Sequence, residues 1–379
     1  MTHASDLRRV VTGAVYTQSD DEYESATRTW DLSTPCRPPL VLVAHSVADI
    51  GAGARWADDH DLGIALLNTG HGAFSGHEDA LVIVTTQLNT VRIDPLSNRA
   101  TVAPGARWSD VATAASPRGL VGASGGSMSV GVIGYTLGGG LGPLGRTLGF
   151  AADRVTSLTV LDADYRPRRL GPHDEDLFWA LRGGGPLGIV TALEFELAST
   201  PAFYGGGIYF AGTHAEALLS AYVDWVDGLD SRTTTSIALI RMPPAPQLPA
   251  ELRGEFVVHL RFAHLDPHAV DLAADSARIL GPMLGAAPII LDHTRIMAPE
   301  ELPDIHRDPV APQSVVYRGA LLDDLDPAAI TDIVDSIPAT VTAEAPSLRM
   351  VELRHLGGVY DDPPASARSS TGRHSRFNL

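Results

Sequence analysis

The sequence predicts an α+β protein in two parts, on three observations. A strand, helix, strand pattern runs from Pro39 to Asn68, and a glycine-dense stretch interrupts the chain from Gly122 to Gly145. Beyond Pro201, strands alternating polar and apolar residues are joined by helical patterns, as in a mainly antiparallel sheet with helices on one face. At 379 residues the chain is long enough for one large or two ordinary domains.

In the first part, PPLVLVAHS is a short β-branched run, and Ser46-Val-Ala-Asp49 is a capping-box-like start for a helix reaching Asp59. Gly63–Asn68 is the returning strand, and Leu81–Thr86 a further one. Thr90–Asp94 and Arg99–Ala103, separated by Pro95, Ser97 and Asn98, read as a hairpin, and a helix starts near Trp108. Ten of the twenty-four residues from Gly122 to Gly145 are glycine, which lets backbone approach backbone or a ligand and disfavours regular helix or strand there. Regular structure returns with the strand Val155–Leu161, a helix from about Asp174 to Leu181 and the strand Gly188–Leu197.

Pro201 marks the boundary between a first domain, 1–200, and a second, 201–379. In the second, strands are expected near 206–210, 234–241, 256–263, 315–321 and 348–356. Helices are expected near 215–228, 267–283 and 327–337.

Composition excludes several functions. A net charge of −17 opposes a phosphate backbone or an anionic membrane surface, so neither nucleic acid nor membrane is an expected partner. All 28 basic residues are Arg, which removes lysine Schiff-base chemistry and the phosphate-binding Lys of a P-loop. The single cysteine, Cys36, permits no intrachain disulfide or multi-Cys metal site, and His173, His306 and the other histidines lack metal-site spacing. The polar start MTHASDLRRVV and the lack of an apolar stretch of about 20 residues lead to the expectation of a soluble, cytoplasmic protein, monomeric or a homodimer.

Two motifs carry chemistry. Gly140-Leu-Gly142-Pro-Leu-Gly145 satisfies G-x-G-x-x-G but lacks the preceding strand and opening helix of a dinucleotide fingerprint. It reads instead as an irregular loop whose N–H groups face an anionic or planar ligand. Asn68-Thr-Gly-His-Gly-Ala-Phe-Ser-Gly76 brackets His71 between Gly70 and Gly72, a backbone nest for phosphate oxygens with a ring nitrogen beside it; a plain surface histidine is the other reading. No G-x-S-x-G elbow is present. Phe178 and Trp179 in DLFWAL are expected to pack a helix against a sheet.

Taken in order, NTGHGAFSG (68–76), TVAPGARWSDV (101–111), SVGVIGYTLGGGLGPLGRTLGFAADRV (129–155), DLFWALRGGG (176–185), GIVTALEFEL (188–197) and VELRHLGG (351–358) resemble the flavin-linked oxidases of the vanillyl-alcohol-oxidase superfamily, in the berberine-bridge-enzyme-like branch. The resemblance implies a PCMH-type, two-subdomain FAD-binding domain, with FAD lying between it and an antiparallel-sheet substrate domain. It implies FAD contacts from Asn68, Thr69, Gly70, His71, Gly72, Ala73, Gly126, Ser127, Gly131, Gly134, Gly138, Gly139, Gly140, Gly142 and Ile189. His71 stands where the family's histidine is joined to the flavin 8α-methyl, with non-covalent contact as the alternative. Doubly linked members carry a Cys where this chain has Ser127, so one covalent link is expected.

The implied activity is hydride transfer from a carbon bearing oxygen or nitrogen on a small organic substrate to flavin N5. O2 would be the acceptor, giving hydrogen peroxide; oxidative cyclisation in secondary metabolism is an alternative. The sequence departs from the family in Pro186-Leu187-Gly188 after the glycines. It also ends at Leu379, where relatives continue into a segment that returns to the flavin, so an impaired flavoprotein is a further expectation. In Val351–His355, strand alternation puts Glu352 and Arg354 on one face and His355 on the other. Glu352, Arg354 and Tyr135 are the candidate catalytic residues, with Arg241 and His259 behind them; a surface ion pair for the first two and simple packing for Tyr135 are the competing readings.

Overall fold

A computed structural model describes residues 2–72, 77–185, 187–337, 348–362 and 370–379. The first sheet has the order β1-β2-β4-β3, from β1 (Ala14–Tyr16), β2 (Leu40–Val43), β3 (Gly63–Leu67) and β4 (Ala80–Val84). β2 and β3 run parallel to the central β4, which is buried along its whole length. Helices α1 (Thr2–Val10) and α3 (Val47–Asp58) cover one face through Leu7, Ile50, Ala54 and Trp56. Tyr23 of the short α2 (Tyr23–Ala26) packs with Cys36 on the other. The capping box at the start of α3 forms as its sequence requires: Ser46 Oγ accepts from Asp49 N at 3.1 Å, and the Asp49 carboxylate accepts from Ser46 N.

A second, antiparallel sheet has the order β5-β6-β10-β8-β9, from β5 (Val91–Asp94), β6 (Arg99–Val102), β8 (Val155–Leu161), β9 (Pro167–Leu170) and β10 (Val190–Glu196). Against it lie α4 (Trp108–Ala115), α5 (Val132–Leu137), α6 (Gly145–Leu148) and α7 (Glu175–Ala180), and β7 (Leu120–Val121) pairs with β11 (Ala198–Ser199). The glycine-rich stretch thus contains one short helix, α5, contrary to the expectation, and α6 starts at its last residue. Val132, Ile133 and Leu137 supply a buried apolar side that holds α5 despite the glycines around it. Phe178 is buried as expected, whereas Trp179 is 48% exposed.

The third sheet has the order β15-β12-β14-β13-β18-β19-β17, with β16 also on β12. Its strands are β12 (Phe203–Ala211), β13 (Thr233–Arg241), β14 (Phe256–His264), β15 (Ile289–Asp292), β16 (Arg295–Met297), β17 (Leu321–Leu322), β18 (Met350–His355) and β19 (Phe377–Asn378). All of its pairings are antiparallel. The strand expected at 315–321 is reduced to Leu321 and Leu322. Val316 and Tyr317 are exposed, and the segment before them runs back to the first part of the chain, where Gln313 exchanges backbone hydrogen bonds with Trp30 and Leu32.

Strand periodicity divides this sheet into two faces. Ile208, Phe210, Ile237, Leu239, Val258, Leu260 and Leu353 point to one side and are covered by α8 (Ala215–Val226), α9 (Leu272–Leu284) and α10 (Pro327–Asp335). The opposite face meets the first part of the chain. The apolar core of the second sheet continues there into Phe203, Met297, Leu302 and Ile305.

Arg146, 5% exposed, reaches across the same seam from α6 and donates to the carbonyls of Thr233 (2.7 Å), Leu356 (2.9 Å), Asp230 (3.0 Å) and Leu229 (3.2 Å). The end of the chain also returns to the first part. Arg373 pairs with Asp153 at 2.5 Å, and Ser370 packs beside Gly139. No helix among the described residues is long and apolar enough to cross a membrane.

Candidate active site

The loop after β3 is shaped by its neighbours in the N-terminal segment. Trp30 N donates to Thr69 O at 3.0 Å and Asp31 N to Gly70 O at 3.2 Å. Gly70 has φ +70°, and a Cβ there would lie 2.6 Å from Thr29 Cβ, so both conformation and space require glycine. The Trp30 ring stacks on His71 at 4.5 Å between centroids and 12° between planes. His71 Nδ1 lies 2.9 Å from Thr69 Oγ1 and Nε2 3.2 Å from Ser129 Oγ, which in turn lies 2.9 Å from Ser127 Oγ. Burial, reinforced by the Arg107 charge, pulls the His71 pKa down to about 4. The imidazole is therefore neutral at pH 7 and keeps a nitrogen lone pair.

The glycines divide into two kinds. Gly139, Gly140 and Gly142 are packed against protein: a Cβ on Gly140 would press on the Tyr135 ring, one on Gly142 on the Ser124 carbonyl, and Gly139 faces Ser370. Gly131 packs against Asn68, whose Nδ2 donates to Ala106 O at 3.3 Å while its Oδ1 is buried without a partner. By contrast, nothing lies within 4 Å of a Cβ built on Gly72 or Gly134, and Gly134 and Gly138 are exposed. Ile189 is half-buried against the core of the first sheet, and Ala73 lies outside the described residues.

The polar face of the third sheet is assembled by register. Gly207 pairs with Arg261, Arg261 with Ser236 and Ser236 with Arg354; one row along, Tyr209 pairs with His259, His259 with Ala238 and Ala238 with Glu352. These residues share one side of four strands, as the alternation in Val351–His355 predicted for Glu352 and Arg354. His355 points to the helix side, where burial and then the charges of Arg146 and Arg376 pull its pKa down to about 3.

Glu352 is the centre of this face. Its Oε1 accepts from Arg261 Nη1 at 2.5 Å and Ser236 Oγ at 2.7 Å, and its Oε2 from Arg354 Nη2 at 2.7 Å and Nε at 2.9 Å. Burial alone would raise its pKa, but the two guanidinium groups outweigh it and hold the carboxyl well below the usual range. Arg261 Nε also points at His259 Nδ1 at 3.3 Å, and His259 stacks on Tyr209 at 4.1 Å.

Tyr135 lies edge-on to Trp108, and its hydroxyl is buried without a partner. Burial raises its pKa, with Tyr360 and Arg354 close enough to act on it electrostatically, so the phenol stays protonated. The three candidate catalytic residues therefore converge on one region.

The cleft there is lined among others by Gly142, Ser236, Arg261, His306, Arg354 and Tyr360. It is joined to His71 by the loop 126–129: Ser129 contacts His71, while Gly126 packs on His306 and Asp308. Ser236 and Arg261 were legible only once the register was known. His306 follows the 3₁₀ segment Pro299–Ile305 and carries no sequence signal. Arg241 instead lies over the Phe256 ring at 5.0 Å.

The exposed glycine surface, the orphaned Asn68 Oδ1 and the neutral His71 together fit a planar, phosphate-bearing group. Residues 38–171 match the family described as FAD binding domain. The chain is 29% identical over 229 residues to (R)-6-hydroxynicotine oxidase of Paenarthrobacter nicotinovorans, covering 56% of this chain and 48% of that protein. It spans about half the length of the curated relatives it matches.

Among solved structures, a berberine-bridge-enzyme-like protein of Physcomitrella patens superposes with a TM-score of 0.80 at 16% identity, covering 100% of this chain and 82% of that one. Berberine bridge enzyme from Eschscholzia californica gives a TM-score of 0.79 at 19% identity, covering 99% and 78%. Residues 38–171 thus match an FAD-binding domain, and the chain as a whole has the fold of the berberine-bridge-enzyme-like structures on which it superposes.

Proposed function

We propose that the chain is an FAD-dependent oxidoreductase that oxidises a carbon bearing oxygen or nitrogen on a small organic molecule, with O2 as the final acceptor. The observation that carries this reading is the convergence of two unlike surfaces. A glycine-lined shelf with a neutral histidine lies at one end of the loop 126–129, and a buried, charge-compensated cluster on the substrate-facing sheet lies at the other.

When bound, FAD supplies the two-electron acceptor for a hydride. Asn68, Thr69, Gly70 and Gly72 form the phosphate-facing loop, and Ser127, Gly131, Gly134 and Gly138 form the shelf. Gly126, Gly139, Gly140, Gly142 and Ile189 shape it from behind. His71, held neutral between Thr69 and Ser129, is the single point of covalent attachment. Arg354 lines the cleft with Glu352 paired behind it, and Tyr135 offers a buried hydroxyl proton beside them. Residues 1–200 then form the cofactor domain and 201–379 the substrate domain.

The test is the visible spectrum of the purified chain, followed by acid precipitation and anaerobic addition of (R)-6-hydroxynicotine or of a chito-oligosaccharide, after a chitooligosaccharide oxidase whose structure superposes with a TM-score of 0.78 at 19% identity. A yellow pellet that becomes colourless in His71→Ala is expected, with bleaching by at least one substrate. A protein that stays colourless after incubation with FAD overturns the reading.

A further inference from the structure

His306 is held with unusual firmness for a residue outside regular sheet or helix. The segment before it is anchored by Leu302 and Ile305, both at most 1% exposed in the core shared with the second sheet. Glu301 accepts from Ala298 N at 2.8 Å, and Arg295 pairs with Glu301 and Asp304. The imidazole is pressed between Gly126 and the charged cluster and lines the cleft. Its Nε2 lies 3.5 Å from Glu352 Oε1, and its Nδ1 is buried with no partner.

The acceptor inventory assigns the roles. A carboxylate has about four lone-pair sites, and those of Glu352 are taken by two guanidinium groups and the Ser236 hydroxyl, with His306 beside them. Little remains to take a proton from a substrate. Because an ionised carboxylate only accepts, it selects the tautomer with the proton on Nε2, and this leaves the buried Nδ1 with a lone pair and no protein partner.

We propose that His306 is the catalytic base of this site and that Glu352 is the residue that positions it. The inference rests on the reading of the chain as a flavin-dependent oxidoreductase. The substrate O–H or N–H bond breaks and a new N–H bond forms at Nδ1, while the hydride of the adjacent C–H leaves to the oxidised flavin. The product is the carbonyl or imine, and the imidazolium charge is balanced by Glu352. The titratable and charged groups that act on the ring are Glu352 of β18, Arg261 and His259 of β14, and Asp308 of its own segment, with Arg354 and Ser236 bonded to Glu352 behind them. Burial, aided by Arg261 and opposed by Glu352, lowers its pKa, so the ring is neutral at pH 7 as a base must be.

The test uses the FAD-loaded full chain in two arms. In the first, histidine-selective 15N spectra are recorded from pH 5 to 8, with His306→Gln assigning the signal. The expected form at pH 7 has a proton on Nε2 and none on Nδ1, and Glu352→Gln removes that preference. A proton on Nδ1 overturns the proposal.

In the second arm, flavin reduction by (R)-6-hydroxynicotine or a chito-oligosaccharide is followed anaerobically against pH. His306→Gln is expected to slow reduction about 100-fold or more. It should also abolish the fall in rate that protonation of the base causes at acid pH, while flavin content and reduction by dithionite are unchanged. A rate within threefold of wild type overturns the proposal. If the wild type holds no flavin, or neither substrate bleaches it, it is the oxidoreductase reading that fails, and the tautomer still decides whether Nδ1 can accept a proton.

Discussion

Replacing Glu352 with Gln removes the charge that compensates Arg261, whose side chain is only 3% exposed, and the bidentate partner of Arg354. The new amide offers one acceptor oxygen, and its NH2 group must face a guanidinium. Arg354, 34% exposed, can turn toward water, whereas Arg261 is left buried without a counter-charge. Breaking a buried pair from one side in this way costs about 3–5 kcal/mol, against about 0–1 kcal/mol for an exposed pair such as Arg9 with Asp6.

The pH dependence has a definite sign. The Glu352 pKa is depressed in the folded state, so its contribution is complete above the ordinary carboxylate pKa of about 4.3 and is lost only as pH falls through the lower folded value. The loss in Glu352→Gln should therefore be flat between about pH 5 and 8, well above that range. Urea denaturation followed by tryptophan fluorescence measures it, and Arg261→Gln/Glu352→Gln should cost less than the sum of the single variants by about 1 kcal/mol or more. A destabilisation under about 1 kcal/mol, or strict additivity of the pair, would show that the cluster is not a closed charge unit.

Gly70→Ala should destabilise by about 1–2 kcal/mol for a side chain in the left-handed region, plus about 1–3 kcal/mol for the contact with Thr29. The same change should release FAD on dialysis; an unchanged melting temperature would refute the steric account. Acid should weaken the fold through its buried histidines: His71, His259, His306 and His355 all have lowered pKa values. The unfolded chain protonates near 6.5, so stability declines as pH falls below that value, down to about 4 for His71 and about 3 for His355, and is insensitive to these groups above it. Denaturation midpoints that stay constant from pH 7 to pH 5 would contradict it.

Elements with local signals were legible in the sequence. The Ser46 to Asp49 capping box, the hairpin over 90–103 and the alternation that put Glu352 and Arg354 on one face all depend on near neighbours, and all recur in the structure. The segment 315–321 looked equally strand-like, but it pairs only at its end, where Ala320 and Leu321 lie against Leu379 and Asn378 beside the two-residue β19. Helix α5 was hidden for the opposite reason: composition argued against it, and burial of Val132, Ile133 and Leu137 overrode composition. His306 could not be read at all. Its role depends on Gly126, 180 positions earlier in the chain, and on Glu352, neither of which leaves a mark on the sequence around it.

The density of glycine between Gly122 and Gly145 has two causes, and they explain why a single motif fails to describe it. Gly140 and Gly142 are small because the Tyr135 ring and the Ser124 carbonyl lie against them, so they serve packing within the protein. Gly134 and Gly138 are small where the surface is open, which suits a planar group laid on the backbone. Gly126 belongs to neither set: its missing side chain admits His306 of the second half of the chain to the edge of the shelf. A Cβ there would meet His306 Cγ at 3.0 Å and Asp308 Oδ2 at 2.8 Å, so even Gly126→Ala must push the imidazole relative to Glu352. The glycine run therefore sets both the floor on which a cofactor can lie and the position of the base beside it.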